Sequence, residues 1–562
     1  MIGGRRGESA LDPTRAIAGG VLALVTLLGA LVRLPGIDRS GLYFDDAWFA
    51  LPARVPFATA LKMIVTAPGY TMLQREWIVL GPSGNVWPKV LAFLFGVACI
   101  PVMYFVARRL GFGLWLSVAI AGLVAVSPAA IEYSVRVKEY EGDLLLAAVI
   151  LLTAEAVRRT PTTRRLVVLG VVSVVAVTMS TSLVVVVAGA WLAVLLEALL
   201  ERIATGRVLI AGAATALVCA VPTLWIAGRI PPRLTAFWRA NDHLVGGPFT
   251  LHHASLLIGA VPLGLAHGLV GTPVGQSSVI FGHSILGTLA SALGLGILLL
   301  ATFVVVRSCR RDAVPVDRVG VSSLATLAFA LLLWLVGAVP LGTGRTDLVV
   351  YPSIAILGGL AAREVIRWLR SSPAIVRVAP TLVVGTGVVL ALVGAGVAWR
   401  SASWYPAQDV SSLPAASAWQ AHRDTAVLVT SRNSYTWAFE ELSSFRVHSS
   451  KTDPASSTIG FWVTFDSPRV LEQVASPGLG PSTVADPRSV VPGLGALPPR
   501  VTRLWLIAPT ASTFSPSSGR LRGPAAERIL PSRAMRILDA AGWRRSTVVE
   551  RAPGVAAILY RR

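Results

Sequence analysis

"LVVLGVVSVVAVTMSTSLVVVVAGAWLAVLLEALL" occupies residues 166–200, and Glu197 is its only ionisable side chain. A helix on a soluble protein keeps one polar face. This run has none, so it belongs in hydrocarbon. It is too long for one crossing of ~30 Å. Thr178, Ser180, Thr181 and Ser182 interrupt it, and hydroxyls can satisfy a backbone turn inside protein. The run therefore predicts two short helices, 166–181 and 183–200, in a tight hairpin. That reading makes the chain a polytopic membrane protein.

The totals agree. The chain has 562 residues, 54% hydrophobic and only 14% charged, less charge than a soluble domain carries. Nine further apolar segments are long enough to cross: 16–33, 89–107, 113–130, 143–157, 208–226, 284–306, 320–340, 347–362 and 380–398. Eleven spans result. The first has no cleavage site after it and reads as a retained anchor. Cys99, Cys219 and Cys309 are scattered, so neither a disulfide framework nor a cysteine metal site is indicated.

The net charge is +21. In a membrane protein such an excess orients loops and meets anionic lipid, which argues against nucleic acid as a partner. With the N-terminus cytoplasmic, 19 basic residues crowd short inner segments, among them Arg108, Arg109, Arg158, Arg159, Arg164 and Arg165. Longer outer loops hold fewer. The expected orientation is N-in at the plasma membrane, with the C-terminal part outside. Lysine is rare beside arginine: only Lys62, Lys89, Lys138 and Lys451 occur, a bias expected of a GC-rich, bacterial genome.

Three outer loops carry candidate chemistry, at about 34–88, 131–142 and 227–283. The first contains "GLYFDDAWFA" (41–50), where Asp45 and Asp46 stand among Tyr43, Phe44, Trp48 and Phe49. A carboxylate at a membrane surface beside aromatics loses solvation and gains basicity, which suits a general base. Adjacent residues point different ways, so the two acids should have different tasks. The plainer alternative is a helix N-cap at Asp45 or Asp46.

The second loop packs Arg136, Lys138, Glu139, Tyr140, Glu141 and Asp143 into eight positions. Arg and Lys at a membrane surface can grip a phosphate. The alternative is internal pairing, Glu132 or Glu139 with Arg136. "GTGRTDLVVYP" (342–352) opens the tenth span and places Arg345 at its mouth, as a phosphate anchor or as a partner of Asp347 or a lipid headgroup. In the third loop, Trp238 can stack on a sugar ring or anchor the interface. Its apolar piece, 255–270, is too short and broken to cross. The seven histidines show no metal-ligand spacing. Asp45, Asp46, Glu139 and Glu141 would suit a hard divalent cation, but nothing in the sequence requires one, so no cofactor and no metal ligand are assigned.

After Arg400 the composition turns towards Pro, Ser, Asp and Glu. "TAVLVTS" (425–431), "RLWLIAPT" (503–510), "STVVERA" (546–552) and "VAAILYRR" (555–562) read as strands, and "AMRILDAAGW" (534–543) as a helix. Residues 449–500 read as long loop. The expected organisation is a transmembrane catalytic domain over 1–400 and an extracytoplasmic soluble α/β domain over 401–562.

These motifs, in this order, resemble the GT-C superfamily of membrane glycosyltransferases. The acidic first outer loop, the "PGY" turn at 68–70, "SPAAIEYSVRVKEYEGDLLLA" (127–147) and "GRTDLVVYP" (344–352) are similar to the family 39 branch, which uses polyprenyl-phosphate sugars and includes protein-mannosyltransferase-like members. The likeness covers about residues 16–400. Where that branch often has His-Pro-Pro-Leu, this chain has Ala67, Pro68, Gly69 and Tyr70. The resemblance implies a polyprenyl-phosphate-linked sugar donor and a glycan, lipid or protein acceptor. Arg136, Lys138 and Arg345 would hold the donor phosphate. Tyr43, Tyr70, Glu139, Tyr140 and Trp238 would contact substrate, and Asp45 or Asp46 would be the base of an inverting transfer. The competing class is a flippase or transporter of lipid-linked sugars, which would place ionisable residues along its spans.

Overall fold

The computed structural model describes residues 13–37, 41–240, 243–245, 248, 250–255, 285–308, 320–341, 346–370, 409–430, 433–440, 444–449, 461–472, 491, 493–510, 529, 533–552 and 554–562. Within them the chain is an α-helical polytopic membrane protein followed by an α/β domain. Ten of the eleven expected spans coincide with a helix, from Pro13–Leu31 to Tyr351–Arg370. The eleventh, 380–398, lies outside the described residues, as does the apolar piece 256–270. Among the described residues, five helices are long and apolar enough to cross a membrane: Thr14–Ile37, Trp87–Arg109, Thr181–Leu200, Thr205–Ala227 and Thr346–Trp368. Leu114–Val126 and Val321–Leu335 are apolar but shorter.

The quoted hairpin forms as expected. One helix ends at Met179, Ser180 is extended (φ −152°, ψ 127°), and a 3₁₀ turn over Thr181–Leu183 leads into Val184–Leu200. The hydroxyls that break the run also dock it. Ser180 Oγ donates to Asp143 Oδ2 at 3.0 Å, and Thr181 Oγ1 donates to the Thr66 carbonyl at 3.2 Å.

Lipid tails are as apolar as leucine, so helices in a bilayer associate by close packing of small residues. Gly189 shows this: a Cβ there would come within 2.5 Å of Thr326, so its absence lets Val184–Leu200 and Val321–Leu335 approach. One large core runs through these helices, filled by Leu151, Val186, Trp334 and Leu357 among others.

A cluster of arginines lies at one end of the bundle. Arg158 pairs with Glu155 (2.9 Å) and Glu197 (3.1 Å), and Arg159 donates to the Arg109 carbonyl. Along the Tyr140–Arg159 helix these groups sit at the last turn, while Glu141 and Asp143 sit at the first. The acidic loops therefore lie at the end opposite the arginine clusters, the separation that the charge pattern requires.

The C-terminal sheet has strand order β4-β1-β5-β7-β6, from Val470–Glu472, Thr425–Val429, Arg503–Pro509, Val555–Arg561 and Arg544–Ala552. β1 is parallel to β4 and β5, and β7 is antiparallel to β5 and β6. β1 is buried along its whole length, as its unbroken apolar run requires of a central strand. The β6 edge carries Arg544, Arg545, Glu550 and Arg551, charges that discourage pairing with another chain. A separate antiparallel pair, β2 (Phe445–Ser449) and β3 (Phe461–Phe465), stands beside it.

The sequence reading of 449–500 as loop needs correction. β3 and β4 fall inside that stretch, because "FWVTF" is a short aromatic and β-branched run that its Ser- and Pro-rich flanks obscure. This pair and the helix Ser434–Phe439 dock the α/β domain on the first loop of the membrane part. Ala438, Phe439, Phe461 and Val463 share a core with Leu42, Ala47, Trp48 and Phe49. Arg54 Nε donates to the Phe439 carbonyl at 3.1 Å and its guanidinium lies 4.9 Å from the Phe439 ring centroid.

Candidate active site

Asp45 and Asp46 lie in the first turn of the helix Phe44–Ala50. The N-cap position belongs to Tyr43, whose side chain makes no capping bond. The capping role that an Asp-Asp pair suggests is therefore not theirs. The helix starts one residue earlier, on the Tyr43 carbonyl, which accepts from the Asp46 and Ala47 amides at 2.9 Å each.

The two acids diverge, as neighbours on a helix must. Asp46 is buried, 1% exposed, and its Oδ2 stands 3.0 Å from Arg136 Nη1. Asp45 is half-buried and its Oδ1 accepts from Trp48 Nε1 at 3.3 Å. Burial pushes the Asp46 carboxyl above the usual range, and the charges of Arg136, Lys138 and Lys89 offset this only in part.

Arg136 arrives from the loop between the helices Pro128–Tyr133 and Tyr140–Arg159. Its Nε also lies 3.6 Å from Glu132 Oε1, so the internal pairing foreseen for this loop forms alongside the long-range one. Its guanidinium sits 4.7 Å from the Tyr43 ring centroid. Lys138 is buried too, with Nζ 3.9 Å from the Trp48 ring centroid and 4.4 Å from that of Phe49. Aromatic faces hold a desolvated cation by electrostatic attraction. The aromatics around the acids thus seat the cations.

Glu139 Oε1 accepts from Thr66 Oγ1 at 3.3 Å, and Thr66 in turn accepts from Thr181. The first loop, the second loop and the hairpin break meet there. Tyr140 packs edge-on against Tyr133 at 5.1 Å. Tyr70, in the helix Pro68–Leu80, is 1% exposed, and its hydroxyl makes no hydrogen bond among the described residues. Burial pushes that phenol well above its usual range, and Glu139, Asp46, Asp143 and Glu141 add to the shift.

The structure thus brings together Tyr43, Asp45, Asp46, Tyr70, Arg136, Lys138, Glu139 and Tyr140. Trp238, on the helix Pro232–Ala240, packs edge-on against His243 at 5.5 Å; a contact with the aspartates is not among its described ones. Arg345 lies outside the described residues. Among the described residues, no cluster of three or more His, Cys, Asp or Glu suits a metal ion. Thr66 and Lys89 were not read as site residues in the sequence, and Ser180 was read only as a break in the apolar run. Lys89 is 3% exposed and its charge acts on Asp46. Its signal was rarity: two of only four lysines are buried at this site.

No family model matches the chain, and no curated protein matches it. Solved structures give distant likenesses. The oligosaccharyltransferase of Archaeoglobus fulgidus, in complex with Zn and sulfate, aligns at 14% identity and TM-score 0.44, covering 75% of this chain and 61% of that one. This chain thus spans about three fifths of that structure's length. ArnT from Cupriavidus metallidurans aligns at 14% identity in both its apo state (TM-score 0.39, 97% of this chain and 98% of that one) and its form bound to undecaprenyl phosphate (TM-score 0.38, 96% and 98%). Likeness at this level fixes neither family nor substrate.

Proposed function

We propose that this chain is a GT-C-type membrane glycosyltransferase that moves a sugar from a polyprenyl-phosphate donor to a hydroxyl acceptor on the extracytoplasmic face. The observation that carries the proposal is the division of labour between the two aspartates. Asp46 is committed to Arg136, while Asp45, one residue away and more open, accepts from Trp48.

Asp45 takes the proton of the acceptor hydroxyl. The acceptor oxygen attacks the anomeric carbon, the bond from that carbon to the phosphate oxygen breaks, and polyprenyl phosphate departs with the electron pair. Attack opposite the leaving group inverts the anomeric centre. Arg136 and Lys138 face the phosphate and stabilise the charge that grows on it, with Arg345 as a further anchor. Tyr43, Tyr70, Glu139, Tyr140 and Trp238 contact the sugar or the acceptor. A lipid phosphate is already a good leaving group, so a base on the nucleophile and positive charge on the phosphate suffice.

A flippase fits less well. Along the Tyr140–Arg159 helix, ionisable residues occur only at the two ends, and Leu144–Ala154 carries none. A transport pathway marks the middle of its spans instead.

Incubating the purified protein with a panel of polyprenyl-phosphate monosaccharides tests the assignment. Sugar transfer from one of them, with release of polyprenyl phosphate, is expected. Movement of lipid-linked sugar across vesicles without bond cleavage would favour the flippase.

A further inference from the structure

Two residues past the first helix lies Arg33, 0% exposed. Its Nη1 donates to the carbonyls of Gly29 (2.8 Å) and Ala125 (2.9 Å), and its Nη2 to that of Val124 (3.2 Å). These carbonyls belong to the last turns of the helices Pro13–Leu31 and Leu114–Val126. A helix leaves its last carbonyls without partners, and its C-terminus favours a cation. One guanidinium thus ties two helix ends together. Its Nε makes no hydrogen bond among the described residues.

Glu141 is the opposite case. It lies in the first turn of the Tyr140–Arg159 helix, where an anion is favoured, and is also 0% exposed. Among the described residues, neither of its carboxylate oxygens has a hydrogen-bond partner. A buried charge left alone is strongly unfavourable.

Gly96, on the Trp87–Arg109 helix, stands between them. A Cβ there would come 2.9 Å from Glu141 Oε2, 3.4 Å from Arg33 Nε and 2.7 Å from Ser134 Cβ. A guanidinium and a carboxyl group thus flank a single bare backbone position. Ser134 and Glu141 are also the two feet of the loop that carries Arg136, Lys138 and Glu139. Both feet rest on the same glycine.

We infer that Arg33 and Glu141 form a buried positioning couple, seated on Gly96, that fixes the 134–141 loop and so aligns Arg136 and Lys138 for the donor phosphate. The catalytic half of this inference rests on the proposed function; the structural half does not. Neither residue touches substrate. They act through the loop, so their loss displaces the phosphate-facing cations.

The experiment is a double-mutant cycle on the full chain in detergent, with Arg33→Gln, Glu141→Gln and the double variant. Each single leaves one buried charge without its opposite and lowers the melting temperature. The double removes both charges and recovers most of the loss. Where a single variant fails to fold, recovery of folded protein in the double gives the same answer. Gly96→Ala, which intrudes on both groups, also lowers the melting temperature. In transfer assays each single raises the donor KM about tenfold, the cost of a small misplacement, with the acceptor KM unchanged. A purely structural role would reduce the active fraction and leave both KM values alone. Additive losses in the melting cycle, or both KM values unmoved, would overturn the couple. If the wild type transfers no sugar, the proposed function fails, while the melting cycle still decides the couple.

Discussion

Asp46 Oδ2 and Arg136 Nη1 stand 3.0 Å apart, each on a buried side chain, although 90 positions separate them in the chain. This contact joins the first loop to the second. Under the proposed function it also separates the tasks of the adjacent aspartates, since the acid that holds an arginine in the protein interior is poorly placed to take a substrate proton.

Asp46→Asn removes the charge from Arg136 and leaves Glu132, at 3.6 Å, as its nearer acid. Breaking one side of a buried ion pair costs about 3 kcal/mol. A clear fall in melting temperature is expected, together with loss of transfer. Chemical denaturation followed by tryptophan fluorescence reads it. An unchanged unfolding midpoint would show that the pair does not anchor the loop.

Lys138→Met keeps an apolar stem against Trp48 and Phe49 but removes the charge. Stability should change little. A donor KM raised about tenfold, as for the loss of one charge-assisted contact to phosphate, is expected. Steady-state kinetics with the donor varied at fixed acceptor measures it.

The docked α/β domain brings a pH dependence. Glu440 Oε1 accepts from Asn85 Nδ2 at 3.3 Å, across the boundary between the two parts. Burial, together with the Asp409 charge, pushes the Glu440 carboxyl up to about 8, against the opposing hydrogen bonds from Ser411 and Asn85. Undocking exposes the group and returns it towards its ordinary value. The docked state therefore binds more protons between the two values, and linkage makes docking strongest in acid and weaker as pH rises towards about 8. Hydrogen exchange in Ser434–Phe439, corrected for intrinsic rate, should be slower at about pH 6 than at about pH 9. Glu440→Gln should abolish the difference.

Much of the fold was legible in the sequence. Apolar runs report directly on burial in hydrocarbon, so ten spans and the Ser180 break could be read from local composition. β1, β5, β6 and β7 were read within about two residues for the same reason: a buried strand is a local apolar run. The site was legible only in part. That Asp45 and Asp46 point different ways follows from helix geometry, but which one meets Arg136 depends on how two distant loops fold over each other. The Arg33–Gly96–Glu141 arrangement left no local pattern, because its members come from three distant parts of the chain. The docking of Phe461 against Trp48, edge-on at 6.3 Å, was hidden in a stretch whose flanks read as loop.

Asp45→Asn tests the central claim most directly. General-base catalysis by a positioned side chain contributes about 10²–10⁴-fold, so transfer from a polyprenyl-phosphate sugar should fall at least about 100-fold. The melting temperature should stay close to the wild type, because Asp45 is half-buried and the buried pair with Arg136 at 3.0 Å is made by Asp46. Wild-type transfer rates in the folded Asp45→Asn protein would contradict the assignment of the base.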